Sequence, residues 1–304
     1  ASSKEGTTVT VTPSVNTTAG GGVPALTAGT PYTFPQPLNE GDYIQLASNG
    51  SFSGTYVEAD APISVFSAHC ADDVPVACCA DHLEEQMFGL QTWGKTYVAA
   101  RMPVRNSGAP EANYWHILAS EDNTQVTFTA SPEVTGLPTG PITLQAGEEL
   151  ELVVSGTVNN PGDFIVNGTN PIHVMSYLSS SNQTNAPAEQ AGDPAMSQMV
   201  PSEQFLDSYV ILVPPNWIYD HVILVKAVGS TIELDGAPVS AGEFIPIDDG
   251  VNPVEWEVAR LDVTDGVHEA TGDAPFGILV VGFDSYDSYA YPGGLDQQII
   301  NPIN

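Results

Sequence analysis

A run of 18 residues, HCADDVPVACCADHLEEQ from His69 to Gln86, holds all three cysteines of the chain and two of its six histidines. Thiolate sulfur and imidazole nitrogen are the ligands that zinc prefers. Cysteines in an oxidising compartment also form disulfides. The run therefore predicts a disulfide staple, a zinc site or a group of free buried thiols.

A disulfide between Cys70 and one of Cys78 and Cys79 is the favoured interpretation. Adjacent cysteines rarely bond to each other, because the peptide between them is planar and trans. Closing so short a loop stabilises a fold by about 2.5 kcal/mol. The zinc alternative takes its ligands from His69, His82 and these cysteines, but it lacks a C-x-x-C pair. A catalytic thiol is disfavoured, because the many nearby carboxylates raise a thiol pKa.

Two acidic turns offer oxygen ligands for calcium. IDDG contains Asp248 and Asp249, and FDSYDS contains Asp284 and Asp287. Neither turn has the full spacing of a helix–loop–helix calcium loop. We therefore expect no required cofactor and treat Ca²⁺ as an optional ligand.

Aromatic residues cluster in two late segments, PPNWIYDH and FDSYDSYAYPGG. Exposed aromatic side chains are typical of protein interfaces. The candidate partner surface consists of Trp217, Tyr219, Tyr286, Tyr289 and Tyr291. The alternative is aromatic packing at a sheet edge or domain seam.

A repeat organises the strands that would position these groups. The phrases EADAPISVFSAH, NGTNPIHVMSYL and TGDAPFGILVVGF each place a proline before an apolar run, at Pro62, Pro171 and Pro275. Alternating runs such as TTVTVT, TQVTFT and STIELD predict half-buried strands. The pattern predicts an all-β chain of tandem antiparallel sandwich-like units with short helical excursions. We place the units at 1–80, with the cysteine loop, 81–192 and 193–304, to within about 15 residues and with strands shared across boundaries.

A second match aligns Asp81–Pro103 without gaps to Asp193–Pro215. Asp81 followed by Glu84 predicts a capped helical start that ends near Gly89. Pro194, directly after Asp193, favours the same start in the second segment. A strand is expected after each, in TYVAARMP and SYVILVPP.

The charge balance excludes several partners. Asp and Glu number 37 against 6 Lys and Arg, for a formal net charge of −31. Such a surface repels nucleic acid and anionic membranes. No apolar run is long enough to span a membrane. Nucleotide-binding and hydrolase motifs are also absent from the sequence.

Three phrases resemble the IgGFc-binding protein N-terminal domain family, and its bacterial, adhesin-like members above all. They are CCADHLEEQMFGLQTWGKTYVAAR, DPAMSQMVPSEQFLDSYVILVPPNW and DAPFGILVVGFDSYDSYAYPGG. The resemblance runs from about Tyr43 to Gly294 and implies a secreted or surface-attached, β-rich binding module without catalysis.

We therefore expect a non-catalytic extracellular or cell-surface protein that binds a protein or glycan ligand in adhesion. The alternative is a structural subunit of a surface layer or fibre. Self-assembly would then use the alternating N-terminal segment TTVTVTPSV, which is able to add as a strand to a neighbour's exposed sheet edge. An enzyme acting on glycans through paired carboxylates is the least favoured interpretation.

Overall fold

A computed structural model describes residues 1–75, 79–106, 108 and 110–302. All strand pairs between the named strands are antiparallel, and the helical segments of the described residues are 3₁₀ turns of three residues each. The predicted all-β class is confirmed. The sheets divide the strands into three sets, which we call the first, second and third units.

The first unit contains a small sheet and a separate hairpin. Its strands are β1 (Val9–Thr12), β2 (Tyr32–Thr33), β3 (Tyr56–Ala59), β4 (Phe66–Asp72) and β5 (Asp81–Gln86). The sheet has the order β2-β1-β3, and β4 pairs with β5. Because β1 pairs on both sides and buries Val9 and Val11, it is not a free arm for a neighbouring molecule.

The second unit is a sandwich of two four-stranded sheets. Its strands are β6 (Thr96–Ala99), β7 (Asn113–Ala119), β8 (Thr124–Ala130), β9 (Ile142–Leu144), β10 (Glu149–Val154), β11 (Phe164–Gly168), β12 (Ile172–Leu178) and β13 (Ala195–Gln198). The two orders are β6-β11-β8-β9 and β10-β7-β12-β13. Strand β7 alternates buried and half-buried residues, and its fully buried Trp115 meets Phe164 of the facing sheet edge-on.

The third unit has the same arrangement with one long shared strand. Its strands are β14 (Leu206–Val213), β15 (Tyr219–Ala227), β16 (Ile232–Leu234), β17 (Ala237–Pro238), β18 (Ile245–Pro246), β19 (Trp256–Asp262), β20 (Gly266–Phe283) and β21 (Ser288–Pro292). The first half of β20 pairs with β14 and β16, and its second half pairs with β15 and β21. The resulting orders, β14-β20-β16-β17 and β18-β19-β15-β20-β21, repeat those of the second unit with β18 added at one edge.

Strand β15 is buried on both faces, which joins the second and third units. Val222 and Leu224 belong to the core between the two layers of the third unit. Ile223 and Val225 point the other way and share a core with Val98 of the second unit. A strand buried on both faces is a continuous apolar run, as in VILV of this strand.

The predicted helical start at Asp81 is wrong. Asp81–Gln86 is a strand, and Asp81 Oδ1 accepts a hydrogen bond from the adjacent His82 N rather than capping a helix. Leu83, only 3% exposed, packs with Met175 and Met196 of the second unit. Strand pairing with β4 and this contact override the local capping signal. The second predicted start fails likewise, because β13 follows Pro194 directly.

The predicted unit boundaries stay predictions. The first strands of the second and third units begin at Thr96 and Leu206, within the 15-residue margin of the predicted boundaries. Two 3₁₀ turns, Leu90–Thr92 and Ser202–Gln204, precede β6 and β14 respectively.

Candidate partner-binding surface

Strand β14 presents an apolar strip to solvent. Tyr209, Ile211 and Val213 alternate into the core of the third unit. The intervening Val210 and Leu212 are 69% and 58% exposed, and Val267, the β20 partner of Leu212, is 69% exposed. We call Val210, Leu212 and Val267 the β14 strip. Exposed apolar side chains grouped on an edge strand are typical of an interaction site.

Three of the five predicted aromatic residues lie together beside this strip. The ring of Trp217 meets that of Tyr289 edge-on at 4.9 Å between centroids, and Tyr289 stacks near Tyr291 at 6.2 Å. The Tyr291 hydroxyl donates a hydrogen bond to the Leu212 carbonyl at 2.5 Å. We call Trp217, Tyr289 and Tyr291 the aromatic group. All three residues are half-buried, so part of each is accessible to solvent.

Burial and hydrogen bonding hold the tyrosines of this group neutral. Burial, followed by the bond from the Tyr289 hydroxyl to Asp220 Oδ1 at 2.6 Å, raises the pKa of Tyr289. Burial also raises the pKa of Tyr291. The hydroxyls therefore act as hydrogen-bond donors that fix the two rings, while the ring edges offer apolar area.

The other two aromatic candidates lie elsewhere. Tyr219 stacks on Phe283 at 5.5 Å and packs against the core shared with the second unit. Tyr286 is 56% exposed in the turn after β20, with a left-handed φ of 64°. Tyr219 therefore fills a seam and Trp217 borders an exposed face, while the partner surface stays a prediction.

The three arginines of the chain are withdrawn from the surface. Arg101 and Arg105 follow β6, Arg260 lies on β19, and the three meet Glu111 and Asp163 where the second and third units join. Arg260 pairs with Asp163 and donates to the Arg101 carbonyl at 2.9 Å. Burial lowers the pKa of Arg101 to about 10. The junction of the second and third units therefore encloses three cations together with two carboxylates.

A buried glutamine joins the first and second units. Gln198 Oε1 accepts hydrogen bonds from Phe88 N at 2.7 Å and from His173 Nε2 at 3.0 Å. Its Nε2 donates to Gln86 O at 2.7 Å and to Glu85 Oε1 at 3.1 Å. The amide oxygen thus accepts from two donors, and the amide nitrogen donates to two acceptors.

This amide sits between two groups with shifted pKa values. Burial, partly offset by the bond to Gln198, lowers the pKa of His173 to about 4. Burial likewise raises the pKa of Glu85 to about 7, against the lowering effect of the same amide. His173 is therefore a neutral imidazole near neutral pH, and Glu85 titrates there. No sequence motif indicated this cluster, because its members come from separate units.

The cysteine prediction is corrected. Cys70 is an exposed free thiol, so the staple through Cys70 is wrong. It lies within the β4–β5 ladder, where the register shifts between His69 and Asp72, ahead of the connection that carries Cys79. Cys78 lies outside the described residues.

The histidines of the zinc interpretation are not brought together with other ligands. His69 Nδ1 lies 3.9 Å from Asp72 Oδ1, and His82 Nε2 lies 3.4 Å from Glu84 Oε2, all on exposed side chains. Across the described parts of the chain, no three histidine, cysteine or acidic side chains converge as an ion site requires. The described residues give zinc no support.

Both carboxylates of the first acidic turn accept hydrogen bonds inside that turn. Asp249 accepts bonds from Asn252 and Val251, and these bonds lower its pKa. Asp248 Oδ1 accepts from Gly250 N at 2.8 Å. Asp284 and Asp287 share a backbone bond, and burial, then repulsion from Asp81, raises the pKa of Asp287.

The described residues contain no helix with the length and hydrophobicity of a membrane crossing.

A family model described as IgGFc binding protein matches residues 1–282. The chain is also similar to the human IgGFc-binding protein, with 23% identity over 292 residues. That match covers 88% of this chain and 4% of the human protein, so the chain spans a small part of its relative's length. No solved structure matches the chain.

Proposed function

Since the chain belongs to the IgGFc binding protein family, we propose that it is a non-catalytic extracellular binding module that acts in adhesion at a cell surface. Its ligand is a protein or a glycan on that surface. The proposed contact is the aromatic group together with the neighbouring Ile218, which is 58% exposed. Calcium is an optional ligand of the proposal and no cofactor is needed.

The aromatic group is the main support for this proposal. Half-buried Trp and Tyr rings with fixed hydroxyls supply large contact areas at little cost in side-chain entropy. The net charge of −31 keeps the surrounding surface soluble and favours ligands that are neutral or cationic. The acidic composition also suits an extracellular, salt-containing medium, where screening weakens self-repulsion.

Binding of the labelled chain to intact cells of the producing organism tests this proposal. We expect saturable binding by the native chain and about tenfold weaker binding by Trp217→Ala, because central aromatic residues carry much of an interface's energy. Val251→Ala is the matched control, since Val251 is 85% exposed in a distant turn. Equal binding by both variants would reject the aromatic contact, and no saturable binding by the native chain would reject adhesion.

The ligand class is tested with purified probes. The human relative is named for the Fc part of IgG, so immobilised Fc fragment is the first protein probe, with Fab fragment as control. A glycan array provides the second class. Surface location is tested by protease treatment of intact cells, where loss of the chain is expected and full protection would exclude an outer location.

A structural subunit is the second candidate function. The N-terminal strand is not available for it, because β1 is paired on both sides. Assembly instead has to use a surface that is exposed in the folded chain.

A further inference from the structure

The β14 strip corresponds in position to residues that are covered in the second unit. Val98 on β6 and Val210 on β14 are both outward residues of equivalent edge strands, and they lie 112 positions apart. Val98 is 1% exposed, whereas Val210 is 69% exposed. Ala100 and Leu212, which also lie 112 positions apart, are 0% and 58% exposed. The third unit therefore leaves bare the surface that the second unit buries.

Val98 is covered by the sheet of the third unit that contains β15 and the second half of β20. Leu279 of β20 and Val225 of β15 line the same small pocket as Val98 and Ala100. Leu279 is 4% exposed and Val225 is 5% exposed. The apolar face formed by β15 and β20 of the third unit thus packs on edge strand β6 of the second unit.

Phe66 occupies the position of Leu279 in the first unit. In the strand registers, Phe66 pairs with Gln86, Met175 with Gln198, and Leu279 with Pro292. Met175 is 5% exposed and packs on Leu83 of the first unit's hairpin, whereas Leu279 packs beside edge strand β6 of the second unit. Phe66, however, is 51% exposed. The first unit therefore leaves Phe66 of β4 exposed, and the third unit leaves the β14 strip exposed.

We propose that these two surfaces bind each other between copies of the chain, with Phe66 of one molecule against Val210 and Leu212 of the next. The contact continues the arrangement that joins the second and third units within one molecule. It is heterologous, because two different surfaces meet, and such contacts build open chains unless the rotation closes a ring. This interface uses the β14 strip, which adjoins the aromatic contact proposed for adhesion but shares none of its side chains, and it goes beyond that proposal.

Charge sets the conditions for this association. Each copy carries a formal charge of −31, so two copies repel each other at low ionic strength. The Debye length falls from about 30 Å at 0.01 M salt to about 3 Å at 1 M. Association through apolar side chains should therefore strengthen as salt is raised.

Sedimentation velocity of the purified chain, from micromolar to near-millimolar concentration in low and high salt, is the test. We expect concentration-dependent oligomers that grow with salt. Leu212→Glu and Phe66→Ser should each weaken association by about tenfold or more, since the first desolvates a carboxylate and the second removes the apolar anchor. Val251→Glu adds the same charge at a remote exposed site and should associate like the native chain.

A mixture of the two variants gives the sharpest outcome. Leu212→Glu retains a working Phe66 face, and Phe66→Ser retains a working strip. Equimolar mixing should therefore yield one-to-one heterodimers and no longer species. A native chain that stays monomeric under all these conditions would overturn the proposal, as would variants that associate like the control or a mixture without heterodimers. The cell-binding test with Trp217→Ala is kept distinct by running it at low salt and low concentration, where the chain is monomeric.

Discussion

The hydroxyl of Tyr209 donates a hydrogen bond to the carbonyl of Phe276 at 2.6 Å and accepts one from Leu206 N at 2.9 Å. Tyr97 does the same in the second unit, where its hydroxyl donates to the Ile172 carbonyl at 2.7 Å. In the second unit the bond joins edge strand β6 to β12 of the facing sheet, and in the third unit it joins β14 to the middle of β20, the strand that both sheets share. The first strand is thereby fixed across the sandwich as well as along its ladder.

Removing either hydroxyl should destabilise the fold by similar amounts. We expect Tyr97→Phe and Tyr209→Phe each to lower the free energy of unfolding by about 1–2 kcal/mol, because each leaves a buried carbonyl without a donor. Urea unfolding followed by tryptophan fluorescence measures the change. Tyr286→Phe, at an exposed tyrosine, should leave the midpoint unchanged, and a comparable loss there would contradict this explanation.

The Gln198 amide should matter more than a single hydrogen bond. Gln198→Leu keeps the side-chain volume but leaves Phe88 N and Gln86 O without their partner. Burying unsatisfied backbone groups costs about 1–3 kcal/mol each. We expect a loss of about 3 kcal/mol in urea unfolding, while Gln125→Leu, at an exposed position on β8, should change little. A small effect at Gln198 would show that water replaces the amide.

The sequence predicts the strands well where alternation or continuous apolar runs dictate burial. The offset that aligns Tyr97 with Tyr209 places two residues that make the same contact. Local signals failed where tertiary contacts decide. DHLEEQ carries a capping pattern at Asp81 and Glu84, yet Leu83 fits between methionines of another unit and makes the segment a strand. No local signal brings Arg101 to Arg260, because the two are 159 positions apart.

The raised pKa of Glu85 should make stability fall as pH rises. Glu85 titrates near pH 7 in the folded chain, against about 4.3 in an unfolded one. Between these values the folded state binds more protons, so the free energy of unfolding decreases with pH across that window and the full penalty holds above it. We expect Glu85→Gln to remove about 2 kcal/mol of this penalty at pH 8 and to change little at pH 4.

Thermal unfolding of Glu85→Gln and native chains from pH 4 to pH 8 measures this effect. His173, whose lowered pKa makes stability rise with pH over part of the range, is present in both chains and cancels in the difference. Glu84→Gln, at the exposed neighbour on β5, removes the same charge as a control. A difference between native and Glu85→Gln chains that is constant with pH would contradict the titration of Glu85.

The buried ion cluster should respond very differently to loss of its acid and loss of one cation. Glu111 Oε1 lies 3.1 Å from Arg105 Nε and 3.6 Å from Arg101 Nη2, so Glu111→Gln leaves two enclosed cations without their shared carboxylate. Breaking a buried pair in this way costs about 3–5 kcal/mol.

The guanidinium nitrogens of Arg101, in contrast, make no hydrogen bond among the described residues. Arg101→Met removes a desolvated charge and fills the space with apolar volume, so we expect a change within about 1 kcal/mol, of either sign. Urea unfolding of both variants decides the matter, because equal large losses would mean that Arg101 is as necessary to the junction of the second and third units as Glu111.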